Sequence, residues 1–153
     1  MTAIVRFDLL TPSDLLRKLQ HDFSRLSHNP ANSYAAFDFF VTGLHMVDWM
    51  NRSGQSVQPI DSYETQLWGV CNQLGNGLKH FHPTKGHVSS TGLAGATFDK
   101  HTFASVFEVG HLVVHLDDVA AKEIGQSVID AVALAAKVLH YWESKVDETM
   151  RGK

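Results

Sequence analysis

Only one cysteine, Cys71, occurs among the 153 residues. A lone thiol excludes an intramolecular disulfide framework and suits a reducing compartment. Proline is almost as scarce: Pro12, Pro30, Pro59 and Pro83 are the four, and each falls at the edge of an apolar periodic run, where it marks a junction. Positive charge is not in excess. Thirteen Lys and Arg against sixteen Asp and Glu give a net charge of −3, so no overall field draws in nucleic acid and a local or dimer-built patch would have to do so. No apolar run approaches the roughly 18 residues that cross a bilayer. Residues 1–30 carry Arg6, Asp8, Asp14 and Lys18 without a leader-like apolar stretch, so no signal peptide is expected. Phosphate loops, dinucleotide-binding glycine fingerprints and nucleophile elbows are missing as well. These absences lead us to expect one cytoplasmic domain over 1–153, with no membrane partner and no cofactor.

What is there is helical. Thr11-Pro12-Ser13-Asp14 has an N-cap, a proline at the first helical position and an acid three residues after the cap. Leu15, Leu16, Leu19, Phe23 and Leu26 follow at helical spacing up to Asn29-Pro30. A second helix is expected from Asn32 or Ser33 to Arg52, with Tyr34, Phe37, Phe40, Val41, Leu44, Asp48 and Trp49 sharing one broad face. Asp61-Ser62-Tyr63-Glu64 opens a third, whose stripe is Leu67, Val70, Cys71, Leu74 and Leu78. Gly75 and Gly77 flank Asn76 on it, which points either to close approach of another backbone or to fraying. Residues 83–116 change character: 104–109 and 111–115 are β-branched and extended in pattern, predicting a hairpin or two to three short strands. A last helix is expected from about Val119 to Met150. The fold class is therefore mainly α, an antiparallel four-helix bundle with a small β insertion, about 83–116, between helices 3 and 4.

Polar side chains on these oily helices are the candidate chemistry, because burying one without a partner costs roughly 1–3 kcal/mol. Asn76 and His80 are one turn apart on helix 3. They suit a general acid/base with an orienting amide, Lys79 beside them supplying positive charge. Equally, they suit a pair that hydrogen-bonds to helix 2 and fixes its register. His45 and Asp48, three apart on helix 2, suit a carboxylate-supported imidazole or a structural polar cluster. A metal reading would gather His45, Asp48, His80 and His82, provided the helix breaks at Phe81. His111 and His115, four apart on a strand, would sit about 13 Å from each other, too far for one ion. Cys71 lies in an apolar stripe and reads as an inert core thiol; Tyr141-Trp142 reads as core packing, and the remaining histidines as surface or half-buried groups.

The run Phe37–Trp49 (FDFFVTGLHMVDW), the helix-3 ending Gly75–Phe81 (GNGLKHF) and the late segment Val138–Glu143 (VLHYWE) together resemble a group of small bacterial and phage proteins, and through them HEPN-like helical bundles. The resemblance covers about residues 30–150. It implies a homodimer and, in the catalytic members of the HEPN family, metal-independent endoribonuclease activity carried by an Arg-Asn-x-x-x-His motif. Asn76 and His80 match the Asn and His of that motif; the Arg position is Gly75, so the phosphate-binding cation is missing. Lys79 could replace it only with altered geometry.

The expected function is a non-catalytic or degenerate HEPN-like interaction protein in bacterial or phage conflict, with a protein or RNA partner. Two alternatives stand beside it. One is a metal-independent ribonuclease using His80 as acid/base, Asn76 to orient, Lys79 as stabiliser and His45 with Asp48 in support. The other is a metal-dependent helical-bundle enzyme.

Overall fold

Thr11 fixes where the first helix begins. Its hydroxyl accepts the Asp14 N–H at 3.2 Å, while the Asp14 carboxylate accepts the Thr11 N–H at 2.8 Å, a reciprocal capping box with Pro12 at the first helical position. Helix α1 runs Pro12–His28. Asn32 then caps α2 (Ser33–Arg52) by accepting the N–H groups of Tyr34 and Ala35, and Asp61 caps α3 (Ser62–His80) through the Glu64 N–H at 2.8 Å. The first and third starts lie where the cap signatures put them, and the second falls at Ser33, one of the two residues expected. The structure, a computed structural model, describes residues 7–80, 88–94 and 110–151; side chains of 78–80, 88–94 and 147–151 lie outside that description.

Helix α2 packs against α1 on one side and α3 on the other. Its buried residues are Ala35, Ala36, Phe39, Phe40, Thr42, Gly43, Met46 and Met50. That is not the expected stripe. Phe40 is inside, but Tyr34 is 82% exposed and Phe37 39%. The helix is apolar around most of its circumference, so periodicity alone does not choose a face. Ala35 and Ala36 are buried on the chosen face, and at Gly43 a Cβ would stand 3.1 Å from Cys71 Sγ of α3.

Strands β1 (Val88–Ala94) and β2 (His111–Leu116) pair antiparallel, with Thr91 opposite Val114 and Ala94 opposite His111. The extended 104–109 segment expected from sequence lies outside the described residues. Beyond β2 the chain departs from the single last helix anticipated over 119–150. Asp117 caps a short α4 (Asp118–Ile124), which stops at Gly125 in the left-handed conformation, φ 95°. Val128–Asp130 then forms β3, pairing antiparallel with β2 in a three-stranded sheet of order β1-β2-β3. Only at Ala131 does α5 (Ala131–Arg151) begin. Ladder bonds to β2 and the β-branched pair Val128-Ile129 outweigh helix continuation here. The fold is thus mainly helical, with five helices among the described residues and a small antiparallel sheet whose third strand precedes α5.

One cluster of buried side chains draws on all five helices and on β2 and β3. Leu19, Leu26, Phe39, Met46, Met50, Leu67, Ile129 and Leu134 are all essentially inaccessible, each contributing about 1.5–3 kcal/mol by leaving water. Helix α5 touches α1, α2 and α3 together, so it closes this core.

Candidate functional site

The α2–α3 seam, where the sequence placed its chemistry, is built around two glycines. A Cβ at Gly43 would lie 3.1 Å from Cys71 Sγ, and one at Gly75 would lie 2.8 Å from both the Phe40 carbonyl oxygen and Leu44 Cβ. Real Cβ contacts of 2.8 Å do not persist, so position 75 holds a helix crossing that no side chain fits. Between the two readings of Gly75, close approach is the one the structure carries.

These contacts also fix the antiparallel register: Val47 lies beside Leu67, Trp68 and Cys71, Gly43 beside Cys71, and Phe40 beside Gly75. His45 and Asp48 are therefore level with the middle of α3. His80, five residues beyond Gly75, is level with the first turns of α2. About ten residues of helix, or roughly 15 Å at 1.5 Å per residue, separate the two along the axis. The backbone does not bring His45 and Asp48 to support His80, nor does it gather the His45, Asp48 and His80 parts of the metal set. His45 Nδ1 and Asp48 Oδ2 are 3.8 Å apart, with side chains 33% and 65% exposed, a surface pair. Asn76 is half-buried one turn before His80. The side chains of Lys79 and His80 lie outside the described residues, as does all of His82. Among the described residues no three His, Cys, Asp or Glu are grouped to hold a metal ion.

Two polar centres were missed. On the α1–α2 seam Asp22 is 2% exposed. It accepts Lys18 Nζ at 2.5 Å and the Thr42 hydroxyl at 3.0 Å, while Lys18 also donates to Thr42 at 3.0 Å. Arg25 lies 3.8 Å from Asp22 and donates to Asp38 at 2.5 Å. A signal did exist, since Asp22 falls in register with Leu15, Leu19 and Leu26, and a carboxylate in an apolar stripe needs a partner. The second centre joins β2 to the start of α5. Asp130 Oδ1 accepts the Val132 N–H at 2.8 Å, and its other oxygen contacts His111 Nδ1. That contact fixes the imidazole's orientation and leaves Nε2 as its outward nitrogen. No sequence spacing pairs residues 111 and 130; the β2–β3 register does, by setting Val113 opposite Asp130.

A concavity lies elsewhere. Between the first turns of α3 and the middle of α5 runs a groove of about 620 Å³, walled by Tyr63, Leu67 and Tyr141, with Lys137 and His140 along one side and Glu64 opposite. Glu64 is engaged: it accepts the Ile60 N–H at 3.0 Å and faces Lys145 Nζ at 3.6 Å. Lys145 in turn sits 5.5 Å over the Tyr141 ring. Behind the groove Trp68, Tyr141 and Trp142 form an aromatic cluster with centroids 4.9–5.7 Å apart, the core packing expected of Tyr141-Trp142.

No protein-family model matches the chain, and neither a curated protein nor a solved structure shows significant similarity to it.

Proposed function

We propose that the chain is a HEPN-like four-helix bundle acting as a non-catalytic interaction protein, most simply a homodimer with a protein partner, in bacterial or phage conflict. The conflict setting rests on the sequence resemblance alone. The observation that supports loss of catalysis is the crossing at Gly75. The HEPN hallmark needs an arginine at this position, and here a Cβ would already stand 2.8 Å from the backbone of α2. The missing cation is built into the helix packing, and replacing Gly75 cannot supply it without parting α2 from α3. A surface for partners is offered by Tyr34 and Phe37, exposed aromatics one turn apart on α2.

The test is cleavage of a mixed RNA pool by wild type and His80→Ala, each with and without EDTA. We expect intact RNA in every lane. EDTA-resistant cleavage that His80→Ala abolishes would overturn this reading in favour of a metal-independent ribonuclease. Cleavage that EDTA abolishes would favour a metal-dependent enzyme. Sedimentation addresses the dimer: wild type should run as a dimer and Tyr34→Ser/Phe37→Ser as a monomer.

A further inference from the structure

The groove between α3 and α5 has a ligand's dimensions and an uncompensated charge. Its volume, about 620 Å³, falls within the roughly 300–1,000 Å³ range of small-molecule sites. Lys137 and His140, three residues apart on α5, point along one side of it, and neither makes a hydrogen bond or ion pair among the described residues. The acid opposite is already satisfied: Glu64 holds the Ile60 N–H and Lys145. Among the described residues the Lys137 ammonium and the His140 imidazole are therefore without a side-chain partner, Lys137 one helical turn before Tyr141 and His140 next to it in the chain.

We propose that this groove binds a small aromatic monocarboxylate, its ring on Tyr63 and its carboxylate on Lys137 and His140. A flat ring gains by burial and stacking on Tyr63, over a floor formed by the nearly buried Leu67 and Tyr141. Carboxylate chemistry is selected by charge balance. One ammonium without a partner among the described residues matches one negative charge, and the neighbouring imidazole adds an N–H donor. A phosphate dianion needs more cations or a row of free backbone N–H groups. The nearby α3 N-terminus does not supply them, because Asp61 caps it at Glu64 N–H. The assignment is independent of whether the Asn76–His80 end cleaves RNA.

The experiment is a titration of the full chain with phenylacetate, phenylacetamide and phenyl phosphate, followed by calorimetry and tryptophan fluorescence. Trp68 reports because its ring lies 5.7 Å from that of Tyr141. Phenylacetate should bind saturably with a dissociation constant on the order of 1 mM, fitting a ligand of so few atoms. Lys137→Met should weaken it at least tenfold with an unchanged melting temperature, since Lys137 has no side-chain partner among the described residues. Ala136→Leu, which fills the groove from a solvent-exposed position, should abolish binding with the fold intact. Absence of saturable binding at about ten times that concentration overturns the proposal. So does equal affinity for phenylacetamide, tighter binding of phenyl phosphate, or wild-type affinity in Lys137→Met.

Discussion

Gly75 on α3 faces the carbonyl oxygen of Phe40 on α2 so closely that a Cβ would stand 2.8 Å from it and from Leu44 Cβ. Alanine at position 75 gains helix propensity, about 1 kcal/mol, and meets a backbone atom that cannot swing aside. Overpacking of this kind costs about 1–3 kcal/mol. Gly75→Ala should thus be destabilising on balance, lowering the melting temperature by a few degrees. Gly75→Arg should lower it further and yield no RNA cleavage. Gly43→Ala is the control: its nearest contact is the Cys71 side chain at 3.1 Å, which can yield, so its loss should be smaller. Equal melting temperatures for wild type and Gly75→Ala in calorimetry would contradict the crossing.

Asp22 predicts a large effect at a site away from the supposed chemistry. Removing its carboxylate leaves Lys18 and Thr42 facing each other without their acceptor. Loss of one partner from a buried ion pair costs about 3–5 kcal/mol. Lys18 keeps 39% of its side chain in water, so Asp22→Ala should cost less, about 2–3 kcal/mol in denaturant unfolding. Thr42→Val removes one donor and should cost about 1–2 kcal/mol. The double variant should fall short of the sum, because both remove the same contact.

Legibility from sequence followed how local each signal is. Caps at Thr11 and Asp61 are written within four residues, and both helices begin there; the Asn32 cap of α2 was not read in advance, though the start expected at Asn32 or Ser33 was right. The face of α2 was not legible: Tyr34 and Phe37 look as buried as Phe39 and Phe40 until neighbours choose between them. The break between α4 and α5 was hidden because Ile124, Val128 and Val132 keep helical spacing across it; only Gly125 hints at the stop. At the seam, Gly75 shows the close approach that was one of its two readings, Gly43 carried no such signal, and the grouping of His45 and Asp48 with His80 ignored antiparallel register. Asp22 was readable in its stripe, and the His111–Asp130 contact was not, since it depends on strand pairing.

Asp130 does two jobs that substitution can separate. Its Oδ1 accepts the Val132 N–H of α5, and its Oδ2 meets His111. An asparagine keeps the cap and loses the charge; alanine loses both. With side chains 40% and 29% exposed, the His111 contact contributes about 0–1 kcal/mol, while a lost cap costs about 1 kcal/mol. Asp130→Asn should therefore match His111→Ala in urea unfolding, and Asp130→Ala should be about 1 kcal/mol worse. Identical Asn and Ala variants would remove the capping role.

Cys71 gives a prediction in pH. Burial pushes its thiol from the ordinary 9.0 up to about 12, because a thiolate would have to form beside Gly43, among Val47, Leu67 and Val138. Below pH 9 the thiol is protonated in both folded and unfolded chains, and stability owes nothing to pH on its account. Between pH 9 and about 12 the unfolded chain ionises and the folded one does not, so the unfolded state binds fewer protons and stability falls as pH rises. The limiting slope is about 1.4 kcal/mol per pH unit. Tyr63, raised from 10.0 mainly by burial and also by Asp61, adds a slope of the same sign above pH 10. Comparison of wild type with Cys71→Ala between pH 9 and 10 isolates the thiol: the variant should be flatter there, and both should steepen above 10. The same burial means a disulfide reagent at pH 8 should label Cys71 only as fast as the protein opens. Rapid labelling of the native protein would place the thiol at the surface and undo the α2–α3 seam with it.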